Sequence, residues 1–329
     1  QAASAPQLAV AFGKMIKEAM EPKSGMTVPF DSPRSVLNGR VREKRRFATQ
    51  QFSLERMRTL AAAADCTLND VVLAVCGGAL RRFLSERKSL PKKPLTAGIP
   101  VSVRPKDDDG NGNAITFIVS TLGTDIADAR ERLATIRQSV KRAKEHVQSL
   151  PRQAMMQYTV LLMAPTILTL LTGIGGRVRP MFNITISNVP GPDTPLYFRG
   201  AEMVATYPAS IVTHGQALNI TCQSYAGNMN FGFTGCHSSM PSMQRLAVYT
   251  AEALAELEVA FLSAKPATAA RKAAPKAKPA PKPSAAPTLA KTPVKGKAPA
   301  KAKPVATAKP KATPTATPVA AKRVRKKAA

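Results

Sequence analysis

Phe182-Asn183-Ile184-Thr185-Ile186 alternates apolar and polar residues, then runs directly into Ser187-Asn188-Val189-Pro190-Gly191-Pro192. A period of two is the pattern of a strand with one buried face. The two prolines and the glycine end that strand. Proline has no amide hydrogen for a ladder, and glycine supplies the backbone freedom of a tight turn. The chain must therefore build a sheet in which one strand ends on a stiff corner. Two readings fit that corner: a purely structural turn, or a device that presents the Ser187 hydroxyl and Asn188 amide to a substrate, framed by Pro190 and Gly191.

The rest of the sequence divides by composition. Of 329 residues with a net charge of +28, the stretch Lys265–Ala329 holds 18 of the 48 Lys and Arg, 12 of the 28 Pro, and none of the 20 Asp and Glu. This tail of Ala, Lys, Pro, Thr and Val has no aromatic residue and cannot bury enough surface to fold, so it is expected to be disordered. It suits polyanions held by counterion release, either nucleic acid or an anionic membrane. Its densest patch is Lys322, Arg323, Arg325, Lys326 and Lys327. The first 264 residues are moderately basic and long enough for a substantial core.

Gln1-Ala2-Ala3-Ser4-Ala5-Pro6 lacks a cationic flank followed by an apolar stretch. It does not read as a secretory signal, and Gln1 reads as the cut end of a longer chain. Cys66, Cys76, Cys222 and Cys236 lack metal-ligand spacing, so no metal and free thiols in a reducing cytoplasm are expected.

Apolar periodicity predicts helices over 7–20, 54–64, 68–85, 126–147 and 242–262. It predicts strands over 47–53, 95–103, 114–122, 182–186, 201–207, 217–225 and 229–234. Helices between strands followed by a late run of strands indicate an α/β (α+β) fold with a mixed sheet flanked by helices. Residues 153–176 contain no charge and are long enough to span a bilayer if helical. Pro165, Thr159, Thr166, Thr169, Thr172 and three glycines dilute that stretch, which favours a buried or membrane-apposed helix. Arg152 and Arg177 at its ends suit anionic lipid and a solvated helix end equally well.

Thr67-Leu68-Asn69-Asp70 opens the most apolar helix. Thr67 and Asp70 have the spacing of a capping box, with Asp in place of Glu. The other reading turns Asn69 and Asp70 toward a polar pocket at the positive helix end. His146, His214 and His237 have no carboxylate pair, metal-ligand spacing or nucleophile elbow beside them, and read as structural.

Several motifs in order carry a resemblance: Ser35-Val36-Leu37-Asn38-Gly39, Arg46-Phe47-Ala48, Thr67 to Ala74, Pro100-Val101-Ser102-Val103-Arg104, and Gly112-Asn113. Ser187 to Pro192, Ala217-Leu218-Asn219-Ile220 and Ser224-Tyr225 with Gly227 complete the series. Over about residues 30 to 262 the chain resembles the bacterial wax ester synthase/diacylglycerol acyltransferase family. The resemblance implies a lobe of the acyl-CoA-dependent fold related to chloramphenicol acetyltransferase. It implies an N-terminal remnant over 1–45, a C-terminal lobe over 46–263, and the tail over 264–329. The implied reaction moves a fatty acyl group from acyl-CoA, a co-substrate, to diacylglycerol or a long-chain alcohol, with no cofactor.

The family's His-His-x-x-x-Asp-Gly motif lies upstream of the matched region, and no two histidines are adjacent here. The resemblance therefore implies that no catalytic residue lies in this chain and that an N-terminal catalytic lobe is its partner. Ser187 and Asn188 are the supporting candidates, with Asn69, Asp70, Arg104, Pro190 and Gly191 on the substrate side. The expected location is cytoplasmic, peripheral at the inner membrane or a lipid droplet. The alternative is a non-catalytic lipid-surface or scaffold relative with a polyanion-binding tail.

Overall fold

The computed structural model describes residues 27–102, 115–150 and 152–263. The expected helix over 7–20, the candidate Arg104, and the tail with Lys322, Arg323, Arg325, Lys326 and Lys327 lie outside the described residues.

Among the described residues eight strands form in chain order: β1 (Arg45–Ser53), β2 (Thr96–Ser102), β3 (Ile115–Thr121), β4 (Ile184–Val189), β5 (Tyr197–Phe198), β6 (Ala201–Glu202), β7 (Leu218–Tyr225) and β8 (Asn228–Cys236). Five helices accompany them: α1 (Leu54–Ala63), α2 (Leu68–Glu86), α3 (Ala129–Gln148), α4 (Arg152–Thr172) and α5 (Met243–Leu262). Six strands make one sheet in the order β1-β8-β7-β4-β2-β3. β4 is parallel to β7 and β2, and the remaining pairs are antiparallel. This is the mixed α/β sheet with flanking helices that the element order implies.

Alternation along the strands decides which face the helices cover. In β1, Ala48 and Phe52 are buried, and the Gln50 amide donates to the Ala247 carbonyl of α5. Register carries that inward face across to Phe231 and Phe233 on β8 and to Ile220 and Cys222 on β7. α2 lies against it with every residue from Val71 to Leu80 buried. Gly77 is required there, because a Cβ would stand 2.4 Å from the Leu122 carbonyl oxygen.

The described residues just before 46 belong to the same packed body as the sheet. Asn38 Nδ2 donates to the Asn183 and Gly215 carbonyls at 3.0 and 2.8 Å, and Asn183 Nδ2 donates to Asn38 Oδ1 at 2.7 Å. The Thr96 amide donates to Asn183 Oδ1 at 2.9 Å. These two buried asparagines tie the segment Pro33–Gly39 to the start of β4 and to β2.

One predicted strand is corrected. Only Ala201–Glu202 of 201–207 pairs, in a ribbon with Tyr197–Phe198. Met203–Val212 instead crosses the uncovered sheet face, where the Ser210 amide donates to Thr234 Oγ1 at 3.1 Å. Its backbone spends a donor on a side chain, and Pro208 has none to offer a ladder.

Candidate functional site

The face turned away from the helices is polar. Its rows follow from register: Thr49, Gly232, Thr221 and Ser187 in one, and Gln51, Asn230, Gln223 and Val189 in the next. Odd positions of β4 therefore bring Ser187 to this face, while Ile184, Ile186 and Asn188 point toward α2. Among the described residues neither the Ser187 hydroxyl nor the Asn188 amide has a side-chain hydrogen-bond partner. Asn230 Oδ1 accepts from Gln51 at 2.8 Å, while its Nδ2 is buried without a partner. Ser210 and Thr221 share a hydroxyl contact of 2.8 Å where the 203–212 strap crosses. The Ser187 hydroxyl on β4 and the Asn230 amide on β8, with β7 between them, leave this face two unpartnered polar groups that a substrate oxygen could meet.

The corner after β4 is locked from β7. The Gly191 amide donates to Ser224 Oγ at 3.0 Å, and a Cβ on Gly191 would stand 2.1 Å from the Ser224 carbonyl oxygen. Tyr225 Oη accepts the Leu196 amide and donates to the Met203 carbonyl, both at 2.7 Å. Ala226 and Gly227, at φ 44 and 79, make the turn into β8. Tyr225→Phe removes both loop anchors from a buried ring, so thermal unfolding should move down by about 1–3 kcal/mol. Equal stability in a urea titration would show that the anchors are idle.

Asn69 and Asp70 come to the same end of the sheet as this corner, because α2 runs opposite to β4. Its last residue, Glu86, meets Tyr249 and Arg245 of α5 near the far end of β8. The capping box forms: Asp70 Oδ2 accepts the Thr67 amide at 2.9 Å, and Thr67 Oγ1 accepts the Asp70 amide at 3.2 Å. The second carboxylate oxygen, Oδ1, is buried without a partner. Asn69 is half-buried. The structure thus gathers Ser187, Asn188, Pro190, Gly191, Asn69 and Asp70 at one end, with the sheet between Ser187 and α2.

An exposed apolar rim borders the polar face. Tyr197 is 65%, Phe198 77%, Val204 83% and Ile211 85% exposed. The strand pattern could not find this rim, since its residues sit on the short ribbon and the strap.

The cysteines are free. Burial pushes Cys76 up to about 12 and Cys222 well above its ordinary value. Burial also raises Cys236, but the Ser238 hydroxyl and the backbone amides of Arg42, Ser239 and Ser238 outweigh it and bring the thiol down to about 6. A depressed acid stabilises the fold above its ordinary pKa of 9.0 and loses that contribution as pH falls through about 6. Cys236→Ala should therefore flatten the stability profile between pH 9 and 6. Parallel urea midpoints for both proteins across that range would contradict the thiolate.

The description "WS/DGAT C-terminal domain" matches residues 111–258, and "Wax ester synthase/diacylglycerol acyltransferase catalytic domain" matches residues 2–72. The chain belongs to the wax ester synthase/diacylglycerol acyltransferase family. A Mycobacterium tuberculosis relative bearing a diacylglycerol O-acyltransferase name is 50% identical over 232 residues, which are 70% of this chain and 47% of the relative. The O-acyltransferase WSD of Acinetobacter baylyi is 44% identical over 223 residues, 68% of this chain and 48% of its own. The solved wax ester synthase/diacylglycerol acyltransferase of Marinobacter aquaeolei VT8 superposes with a TM-score of 0.63 at 36% identity, over 77% of this chain and 56% of that one. The chain thus spans about half the length of the relatives it matches.

Proposed function

We propose that this chain carries part of the catalytic domain followed by the C-terminal domain of an acyl-CoA-dependent O-acyltransferase that makes triacylglycerol or wax ester. The acceptor is diacylglycerol or a long-chain alcohol. The observation that carries this reading is a polar sheet face, with the unpartnered Ser187 hydroxyl and Asn230 amide, bordered by an exposed apolar rim in a member of this family. Apolar area of this kind marks a surface that another body covers. The catalytic lobe is that body, and the acyl tunnel runs between the two.

In the reaction the acceptor oxygen attacks the thioester carbonyl, its proton passes to a base on the catalytic lobe, and the CoA thiolate leaves. Ser187 donates toward the developing oxyanion or the polar network beside CoA. In a chimaera carrying residues 31–263 of this chain in place of the matching part of the Acinetobacter relative, palmitoyl-CoA and dioleoylglycerol should release CoA. A folded chimaera without turnover would refute the reading. Ser187→Ala in that protein should lower turnover about tenfold or more and leave the melting temperature within a degree or two. Unchanged turnover would remove Ser187 from the mechanism.

The enzyme works at a lipid surface, in a cytoplasmic, peripheral position at the inner membrane or a lipid droplet. Two features support this. α4 leaves Val160, Leu161, Ile167, Leu168, Leu170 and Leu171 exposed, and the basic tail adds a salt-sensitive contact to anionic lipid or nucleic acid. Among the described residues no single helix is long and apolar enough to cross a membrane.

A further inference from the structure

At the end of the sheet away from the Ser187–Pro192 corner, two cavities share a wall. One, of about 320 Å³, lies beneath the C-terminal half of α4 and is lined mainly by apolar groups including Leu168, Ile174, Val178 and Met181, with Arg179 and Gln216 also at its wall. The other, of about 950 Å³, is bordered by Arg42, Lys44, Arg45 and His237, with Glu43 its sole carboxylate. Leu170, Thr213 and His214 line both. Grease and positive charge therefore meet along one seam. The length of β4, about 16 Å, separates this seam from the corner at its far end.

The seam has donors facing one another. His214 Nδ1 accepts the Val41 amide at 3.1 Å, which in the neutral ring places the proton on Nε2. Nε2 stands 3.4 Å from Arg40 Nη2, and an arginine only donates. No lone pair lies between them, and an anionic oxygen set against both would satisfy the pair. Arg40 is fixed in that position by donating to the Gly173 carbonyl at 2.9 Å, just past the end of α4. Among the described residues, Arg40, Arg42, Lys44 and Arg45 have no ion-pair partner. Nearby, Arg46 Nη2 contacts His237 Nε2 at 2.9 Å, and its Nε is buried without a partner.

The occupant follows from the distance between the two halves. In acyl-CoA the long pantetheine arm separates the phosphates from the thioester and acyl chain, so they cannot occupy chambers that share a wall. A phosphoglyceride carries its phosphate next to its chains. We infer that the paired cavities bind one phosphate-headed glycerolipid, with an acyl chain beneath α4 and the phosphate at Arg42 and His214, where Arg40 approaches the His214 ring from beside the cavity. The exposed side of α4, with Leu168 58% and Leu171 79% exposed, gives the chain a route in from a lipid surface. This site stands on its own geometry and survives if the acyl-transfer reading fails.

The test uses the whole 329-residue chain and a fluorescent oleoyl-lysophosphatidate below its micellar concentration. Arg42→Glu with Arg45→Glu reverses charge in one chamber, and Leu170→Glu places charge on the shared wall. All three side chains are exposed, so the fold should be kept, with a thermal melt as the check. Each variant should weaken binding at least tenfold. Glycerol 3-phosphate, oleoylglycerol and oleoyl-CoA should compete at least tenfold less well than unlabelled lysophosphatidate. Full competition by glycerol 3-phosphate would mean phosphate on surface cations only and overturn the proposal. Equal competition by oleoyl-CoA would give the cavities to the acyl donor instead. Folded variants that bind like the parent chain would place the binding on the basic tail, which all of them keep, and end the proposal.

Discussion

Arg132→Ala should cost the folded lobe about 3 kcal/mol and lower its melting temperature by roughly 6–12 °C. Arg132 is 1% exposed, beneath the junction of α2, α3 and α5. Its Nη1 donates to the Ile126 and Ala127 carbonyls at 3.1 and 3.0 Å, and its Nη2 reaches Glu256 at 2.8 Å. Gly78 and Gly123 leave room for it, since a Cβ at either would come within 3.0–3.2 Å of the arginine side chain. Alanine would leave a void between two helices as well as the lost bonds. Glu256 is 47% exposed and rehydrates when freed, which keeps the cost at the low end for a broken buried pair. Arg132→Met, which fills the space without the charge, should recover part of the loss. Glu256→Gln alone should cost about 1 kcal/mol. A urea titration in which alanine costs under 1 kcal/mol would show that helix packing does not need this arginine.

What the sequence made legible is what is encoded locally. The Thr67–Asp70 cap and the apolar stripe of α2 are set by residues within a turn or two of each other, and both form. The strand expected over 182–186 forms two to three residues later, as Ile184–Val189, so that Ser187 and Asn188 lie in the strand rather than on the turn. The corner at Pro190 and Gly191 is also readable, but not its lock, because Ser224 and Tyr225 belong to a strand 30 residues on. The Asn38–Asn183 pair is less visible still. Two asparagines 145 positions apart give no periodic signal, yet together they fix where β4 starts.

The candidate site needed register. Alternation separates Ser187 from Asn188, but only the pairing of β4 with β7, and of β7 with β8, shows that Ser187 shares a face with Thr221, Gly232 and Asn230. The histidines illustrate the same limit. His214 has no chemical neighbour in sequence, and its meaning comes from Arg40 and Val41, more than 170 positions away. The strand expected over 201–207 stops at Glu202, because the residues that follow run into the strap that crosses the sheet face instead of into a ladder.

Gly232→Ala should do the most damage on the polar sheet face. Gly232 lies in the row of Ser187 and Thr221, and the strap crosses directly above it. A Cβ there would stand 1.8 Å from the Pro208 carbonyl oxygen, a backbone atom that no rotamer change can move. The strap must lift by more than an ångström to reach ordinary contact. Lifting it breaks the Ser210–Thr221 hydroxyl contact and the Ser210–Thr234 bond. Two hydrogen bonds at about 1 kcal/mol each and an overpacking cost of about 1–3 kcal/mol give a loss of roughly 3–5 kcal/mol. The ladder between β7 and β8 should survive, because Gly232 keeps its backbone pairing with Thr221. The variant thus separates the strap from the sheet. In the chimaera with the catalytic lobe, turnover should fall further than Ser187→Ala lowers it, since the whole polar face is reshaped rather than one hydroxyl removed. Hydrogen exchange should quicken at 203–212 and stay slow along β8. If turnover holds while the strap's amides exchange freely, the strap is only a cover, and the substrate face extends no further than Ser187.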